Sequence, residues 1–363
     1  FYALSDNWCE CGCDPTDGTV LGVGCSDLYS SGLNGQQSNM GPKYEVNAFT
    51  GYYPYPATDI NQTGDGIYKR MQAKISDLDP AQDGGGDYFV EAQYISPDDA
   101  EAGNHWNNAS SKLVSVSGSG DSWNLGLNLA GTAREQQVLR FWPFFEPDVE
   151  LNEVFVENEG MLLVGCKVLG SPDGTWQYEY AVQNYNSDRS ISSFELPLRP
   201  DATVWDIGFH DVDYHSGSPI NGTDWVASVE EGKISWKCTE TYEQNEWANA
   251  IRWGTTYNFR FKCDYGPQVS SVELGVFKPA ASPKQAHTVA QFVGIVHAST
   301  QDQPRGTRVL HNIVREVGLY EKQSSCGEMQ GDAGRCGGGA CERVNTCSPW
   351  CRGSRRGRCG RGW

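Results

Sequence analysis

The sequence predicts a mainly β protein with an antiparallel β-sandwich or jelly-roll architecture. Glycine supplies 42 of the 363 residues, which favours turns over long helices. Apolar and polar residues alternate over short runs, as they do in half-buried strands. The 12 Trp and 17 Tyr residues provide large side chains for a core. We expect two sandwich-like regions between a disulfide-stapled irregular N-terminus and a Cys/Gly/Arg-rich tail.

Residues 1–65 form the first predicted segment, a cysteine-stapled irregular lead-in. Gly, Asn, Pro and Ser dominate it, and this composition is typical of turns. Of four cysteines here, the first three, Cys9-x-Cys11-x-Cys13, lack the two-to-four-residue gap of a zinc knuckle, so we expect all four to form disulfides. They are Cys9, Cys11, Cys13 and Cys25.

Residues 66–149 form the next segment, a β-rich region. Runs such as DYFVEAQYI, SKLVSVS and SWNLGLNL are separated by Gly, Asp and Asn turns. One short helix is expected after Ser96, because Ser96 suits an N-cap and Pro97 suits the first helical position.

Residues 150–279 are predicted to form a β-sandwich. Eight short runs follow one another without helical periodicity, and aromatic residues alternate with polar ones within them. Cys238 and Cys263 each end an alternating strand and are candidates for a disulfide between neighbouring strands, whereas Cys166 is the candidate for a buried free thiol. The aromatic residues expected inside are Trp176, Tyr178, Trp205, Phe209, Trp253, Phe259 and Phe261.

The C-terminal part divides into β or helical segments over 280–323 and a tail over 324–363. The tail holds six cysteines between Cys326 and Cys359. A disordered tail, a small disulfide knot and a translation artefact of a GC-rich gene all fit its composition, so the sequence leaves open whether the tail is native.

Charge and modification signals indicate a secreted or surface-exposed protein. The net charge of −18 disfavours binding to nucleic acid or anionic membranes. No apolar run reaches the length of a membrane span. The clustered cysteines suit an oxidising compartment, and the first residue, Phe1, fits removal of a signal peptide. Three N-glycosylation sequons begin at Asn61, Asn108 and Asn221.

The acidic run DLDPAQDGGGD at 77–87 is a candidate calcium site. Calcium takes six to eight oxygen ligands on flexible loops, but the spacing here does not match an EF-hand. A solvated acidic hairpin is the alternative. The possible ligands are Asp77, Asp79, Asp83 and Asp87.

The run IGFHDVDYHSG at 207–217 is the second candidate site. Strict alternation would place Asp211 and Asp213 on the core face of the strand, so the strand must end or bend near His210. The residues after it would then be a loop at the sandwich rim. Such a loop could be structural, could hold a divalent ion such as calcium or zinc, or could perform acid–base catalysis. The candidate metal ligands are His210, Asp211, Asp213 and His215.

Five long segments of the chain carry a resemblance. They are VGCSDLYSSGLNG, VLRFWPFFEPDV, WQYEYAVQNYNSDRSISSFELPL, IGFHDVDYHSG and NAIRWGTTYNFRF. Together they resemble a group of uncharacterised secreted bacterial β-rich proteins, over roughly residues 20–280. The resemblance implies export and a shared β-rich body, and it implies no activity.

Two functions follow from these observations. No Gly-x-Ser-x-Gly, Walker A, His-Glu-x-x-His or Cys-x-x-Cys-His motif is present in the sequence. We therefore expect a non-catalytic extracellular structural, filament-forming or adhesion protein that binds copies of itself, other surface components or glycans. The alternative is a secreted metal-dependent hydrolase or carbohydrate-active enzyme centred on residues 210–215.

Overall fold

A computed structural model describes most of the chain up to Pro279 and two later strands. Residues 1–39 with 320–363 cluster as one unit and residues 40–319 as the other. In the first unit, Cys13 and Cys25 form a disulfide, as predicted. Cys9, Cys11, Asn61 and the whole of the 324–363 tail lie outside the described residues. The described residues are 4–7, 12–19, 22–25, 41–58, 73–83, 86–127, 131–156, 158–213, 215, 217–268, 270–279, 290–294 and 316–320.

The described elements are almost all strands, which confirms the predicted fold class. The strands are β1 (Tyr88–Ile95), β2 (Ala109–Ser119), β3 (Ser122–Gly126), β4 (Ala133–Arg134), β5 (Glu150–Val156), β6 (Gly160–Gly170), β7 (Trp176–Asn184), β8 (Ile191–Pro197), β9 (Val204–His210), β10 (Val226–Glu230), β11 (Lys233–Lys237), β12 (Thr255–Cys263), β13 (Ser270–Val276), β14 (Ala290–Gly294) and β15 (Glu316–Tyr320). The α-helices are α1 (Pro80–Asp83), α2 (Pro97–Glu101) and α3 (Trp142–Phe145), with 3-10 turns at Lys43–Glu45, Ile75–Asp77 and Val138–Phe141.

Two antiparallel sheets form a sandwich over residues 150–294. The front sheet has the strand order β5-β6-β7-β12-β9, and the back sheet has the order β10-β11-β8-β13-β14. One hydrophobic cluster joins their inner faces. The Phe194 ring of the back sheet lies 4.7 Å from Phe259 and 5.3 Å from Tyr180, both in the front sheet. Trp236, Phe194 and Phe259 have no exposed surface, and burying each such ring stabilises the fold by roughly 2–3 kcal/mol.

The aromatic prediction holds for most positions and is wrong for Trp205. Tyr178, Phe259, Phe261 and Trp253 are buried, and Trp176 and Phe209 are half-buried. Trp205 is 38% exposed. A β-bulge explains the error, because two residues of β9 face one residue of β12 between the pairs Trp205↔Lys262 and Gly208↔Arg260. The extra residue reverses the alternation, and Asp206 takes a positive φ of 54° at this point.

A third antiparallel sheet covers part of the 66–149 region, with strand order β15-β1-β2-β3 and β4 paired to β2. Between this sheet and the sandwich lies a second apolar cluster on the outer face of the front sheet, and it includes Leu139, Trp142, Leu163 and Tyr185. Helix α2 begins as predicted, because the Ser96 side chain accepts a hydrogen bond from the Asp99 backbone N–H.

The free cysteines correct one prediction and confirm another. Cys166 is a buried free thiol, as expected, and burial raises its pKa to about 12. Cys238 and Cys263 are also free, so the disulfide predicted between them is absent. Cys263 ends β12, whereas Cys238 binds the Ser192 carbonyl near the other end of the sandwich. The nine residues of β12 span roughly 26 Å, far beyond the reach of a disulfide.

No helix within the described residues is long and apolar enough to cross a lipid bilayer.

Candidate functional site

The 210–215 segment lies at the rim of the sandwich, where the sequence placed it. Strand β9 ends at His210, as predicted from the two carboxylates that follow it, which a core face could not accommodate. The Phe209 ring, the last inward side chain of the strand, packs 5.8 Å from Trp225 and 5.6 Å from Phe259. This apolar anchor fixes the point at which the chain leaves the sheet.

Asp211 is buried beneath the rim and binds Asn249. The Asn249 side-chain nitrogen donates hydrogen bonds to the Asp211 carboxylate and, at 2.9 Å, to the Thr223 carbonyl. The Asn249 side-chain oxygen accepts from the Tyr257 hydroxyl, and its backbone carbonyl accepts from the Trp225 indole. Asn249 is only 1% exposed, so it is a buried hub that holds the rim loop to β12.

Burial also sets the charge state of Asp211. Desolvation raises the pKa of its carboxyl, the hydrogen bond from Asn249 opposes that rise, and the neighbouring charges of Asp224 and Asp213 add to it. The pKa of Asp211 is therefore higher than that of an ordinary aspartate.

The structure brings the two predicted sites together. The Lys74 ammonium lies 2.7 Å from an Asp213 carboxylate oxygen, and His210 Nε2 lies 3.9 Å from Asp77 Oδ2. The 3-10 turn at residues 75–77 therefore packs its polar side chains against the sandwich rim. The hydrogen bond from Lys74 to Asp213 is the main cause that raises the pKa of Lys74.

His215 lies apart from these carboxylates. It is 8% exposed and lines a cavity of about 160 Å³ together with Lys43, Arg252 and Trp253. Burial lowers its pKa to about 3, with further lowering from the charges of Lys43 and Arg252. The imidazole is therefore neutral at physiological pH.

No three His, Cys, Asp or Glu side chains of the described residues gather as metal ligands. Of the four rim residues predicted to bind a metal, Asp211 binds Asn249 and Asp213 binds Lys74. His210 lies near Asp77, and His215 lines the cavity. The four side chains thus point to four different environments.

In the acidic 77–87 run, the structure gives contacts for Asp79, which caps a helix, and for Asp77, which faces His210. The Asp79 carboxylate accepts hydrogen bonds from the Ala81 backbone N–H at 3.0 Å and from the Gln82 side chain at 2.8 Å, so it caps α1. Those two hydrogen bonds lower the pKa of Asp79. Asp77 faces His210, Asp87 is exposed, and the Asp83 side chain lies outside the described residues.

Two sequons lie among the described residues, both half-buried. The Asn221 side-chain nitrogen, which would carry the sugar, donates to Glu240 at 3.1 Å. The Asn108 backbone N–H donates to the Tyr185 hydroxyl at 3.1 Å, just before β2.

The sequence did not predict which residues contact the rim loop. Lys74 and Asn249 stand about 140 and 40 residues from the loop, and no local pattern connects distant positions in antiparallel sheets. For Arg252 the sequence contains one indication of a buried role, because this arginine interrupts the apolar run AIRW. A charge inside such a run indicates a buried polar contact.

No protein-family model matches this chain, and no curated protein matches it.

Proposed function

We propose that this chain is a secreted, non-catalytic extracellular protein that builds surface structure, filaments or adhesive layers by associating with itself. The observation that supports this most is the apolar character of the two edge strands β9 and β10. Trp205 and Ile207 of β9 are each 38% exposed, and Val226 and Val229 of β10 are 60% and 47% exposed.

Edge strands of monomeric proteins usually carry charges or bulges that prevent pairing with other chains. Strand β9 carries such a bulge at Asp206, whereas β10 pairs with β11 in unbroken register. β9 and β10 end the strand orders of their sheets, so no described strand pairs with their outer sides. Both strands lie at the same side of the sandwich, because Phe209 near the end of β9 stacks on Trp225, which precedes β10. Exposed apolar side chains on both edge strands favour a protein contact.

The rim loop supports a structural role in place of a catalytic one. The side chains of Asp211 and Asp213 are engaged by Asn249 and Lys74, and these contacts tie the loop to β12 and to the 73–77 segment. Both carboxylates therefore help to hold the loop in place.

The extracellular location rests on other observations. The Cys13–Cys25 disulfide suits an oxidising compartment. The three sequons and the resemblance to secreted bacterial proteins agree with export. Within this proposal, glycans and other surface components are additional partners.

The test is the assembly state of the purified protein. We expect sedimentation and negative-stain electron microscopy to show oligomers, filaments or arrays. Ile207→Lys and Val229→Lys place charges on the two edges and should shift the protein toward monomers. Leu127→Lys is the matched control, because Leu127 is 54% exposed but lies outside any strand. A wild-type monomer at about 100 μM would overturn self-association.

The alternative of a metal-dependent hydrolase or carbohydrate-active enzyme is favoured by one contact. The 3.9 Å approach of Asp77 to His210 pairs two ligand types that zinc accepts. Elemental analysis after dialysis without chelator decides this. One equivalent of calcium or zinc that is lost in Asp77→Asn would favour the enzyme, and absence of metal would favour the structural protein.

A further inference from the structure

The cavity beside His215 has a wall of aromatic rings. Tyr44 and Trp247 pack edge to face with centroids 4.9 Å apart. The Trp253 indole donates to the Val46 carbonyl at 3.0 Å, which fixes its ring. Lys43 Nζ lies 4.4 Å from the centre of the Trp253 ring. Rigid aromatic walls of this kind pack against the apolar face of a small ring-containing ligand.

Two buried nitrogen atoms on this cavity have no hydrogen-bond partner within the described part of the chain. One is Nε2 of His215 and the other is Nε of Arg252. Each side chain is 8% exposed, and both line the cavity. Leaving a buried polar atom unsatisfied costs about 1–3 kcal/mol. Two such atoms at one cavity indicate that a ligand supplies the missing partners.

Arg252 gives the cavity a positive charge. Its Nη2 donates to the backbone carbonyls of Glu246 and Ala248, both at 2.8 Å, and its guanidinium stacks over Phe277 at 4.8 Å. These contacts hold the side chain in place without neutralising it. Among the described residues, no carboxylate forms an ion pair with Arg252, and its hydrogen-bond partners are the two backbone carbonyls.

The acidic groups of the lining do not cancel this charge. Asp188 is engaged by Lys278 Nζ at 2.9 Å, and Glu246 is an exposed residue. Lys43 contributes a second cation. His215 is neutral, and its Nε2 atom can form a hydrogen bond with a hydroxyl group of a ligand. A ligand with one anionic group beside a polar ring would supply the missing hydrogen-bond partners of Arg252 Nε and His215 Nε2.

We propose that this cavity binds a small organic carboxylate with a hydroxylated ring, of the size and chemistry of a uronic acid. The carboxylate accepts from Arg252 Nε, the ring packs on Trp247 and Trp253, and a hydroxyl group binds His215 Nε2. A carboxylate with one negative charge fits better than a phosphate dianion, because Asp188 and Glu246 of the lining offset part of the positive charge of Arg252 and Lys43. The site goes beyond the proposed self-association, and neither depends on the other.

Calorimetric titration of the full chain tests the site with three probes. Glucuronate carries both groups, acetate carries only the carboxylate, and glucose carries only the ring. We expect glucuronate to bind at least tenfold more tightly than acetate or glucose. Equal affinity for glucose and glucuronate would overturn the carboxylate assignment. Absence of heat with glucuronate at millimolar concentration would overturn the site.

Variants distinguish this cavity from other surfaces. Arg252→Gln should weaken glucuronate binding at least tenfold, and Lys43→Met should weaken it several-fold. The second variant keeps the test valid if loss of Arg252 unfolds the loop. Arg260→Gln, an exposed arginine on β12, is the matched control and should bind as the wild type does. Unchanged affinity in Lys43→Met and in folded Arg252→Gln would overturn the proposal.

A uronate residue within an acidic polysaccharide presents the same chemistry as the free acid. Titration with an oligoglucuronide separates these two sources. Tighter binding than the monosaccharide indicates a polymer ligand, and loss of binding indicates a free acid, because a cavity of about 160 Å³ admits little more than one ring. Either result supports the site.

Discussion

The Glu91 carboxylate accepts a hydrogen bond from the Gln183 side chain at 2.9 Å, between the third sheet and the front sheet of the sandwich. The same oxygen accepts from the Val138 backbone N–H at 2.7 Å. Gln183 in turn accepts from the Leu139 N–H at 3.3 Å. All four residues are buried. This polar network therefore fixes how the 88–145 region packs on β7.

Glu91 should make the stability of the fold depend on pH. Desolvation raises its pKa, and the hydrogen bonds from Val138 and Gln183 oppose the rise only in part. The stabilisation is full below about pH 4.3, the ordinary glutamate pKa. As pH rises, the unfolded chain loses this proton first, so stability falls until pH passes the raised folded pKa.

The variant Glu91→Gln should remove that pH dependence. Its amide oxygen can accept the same two hydrogen bonds without a buried charge, so we expect equal or greater stability at pH 8. Glu91→Ala should lose roughly 2–3 kcal/mol, because two donors become unsatisfied. Denaturant unfolding at pH 4.5 and pH 8 measures both effects. The exposed Glu101→Gln is the control, and an equal pH effect in that variant would contradict the assignment to Glu91.

The Lys74–Asp213 ion pair should contribute little to stability. Their side chains are 52% and 43% exposed, and such pairs contribute about 0–1 kcal/mol. A double-mutant cycle with Lys74→Met and Asp213→Asn should give a coupling of about 0.5 kcal/mol that decreases in 1 M salt. A coupling above about 2 kcal/mol would show that the 73–77 segment is bound to the rim more strongly than its exposure indicates.

The five cysteines that the structure describes should differ in reactivity. Cys166 is buried and its pKa is raised to about 12, so its thiol should resist alkylation in the folded protein. Cys238 is half-buried and should react first. After denaturation without reductant, mass mapping should find Cys166, Cys238 and Cys263 alkylated and Cys13 joined to Cys25. A disulfide between Cys238 and Cys263 would contradict the structure.

The sandwich could be predicted from sequence because the alternation of apolar and polar residues that specifies each strand lies within a few neighbouring residues. Phe259 and Phe261 alternate with Arg260 and Lys262, and a period of two fixes which side chains enter the core. The bulge at Asp206 could not be predicted, because one inserted residue changes the face of Trp205 without changing composition.

The location of the rim loop was also predictable, since two carboxylates cannot continue a core face. Its partners were not, because Asn249 and Lys74 reach Asp211 and Asp213 only after the sheets have formed. The same reason explains the wrong pairing of Cys238 with Cys263. Strand ends that look equivalent in sequence lie at opposite ends of the sandwich.

The Asn249–Asp211 hydrogen bond gives the sharpest test of the rim as a structural device. Asn249→Asp would place two buried carboxylates side by side, so we expect a loss of roughly 3 kcal/mol or more at pH 7. The double exchange of Asp211→Asn with Asn249→Asp restores one donor and one acceptor and should recover a large part of that loss. Recovery should be incomplete, because the Thr223 carbonyl loses its donor. Denaturant unfolding of the two single variants and the double variant measures this. If the exchange recovers nothing, Asp211 is not held by Asn249, and its carboxylate is available for a ligand.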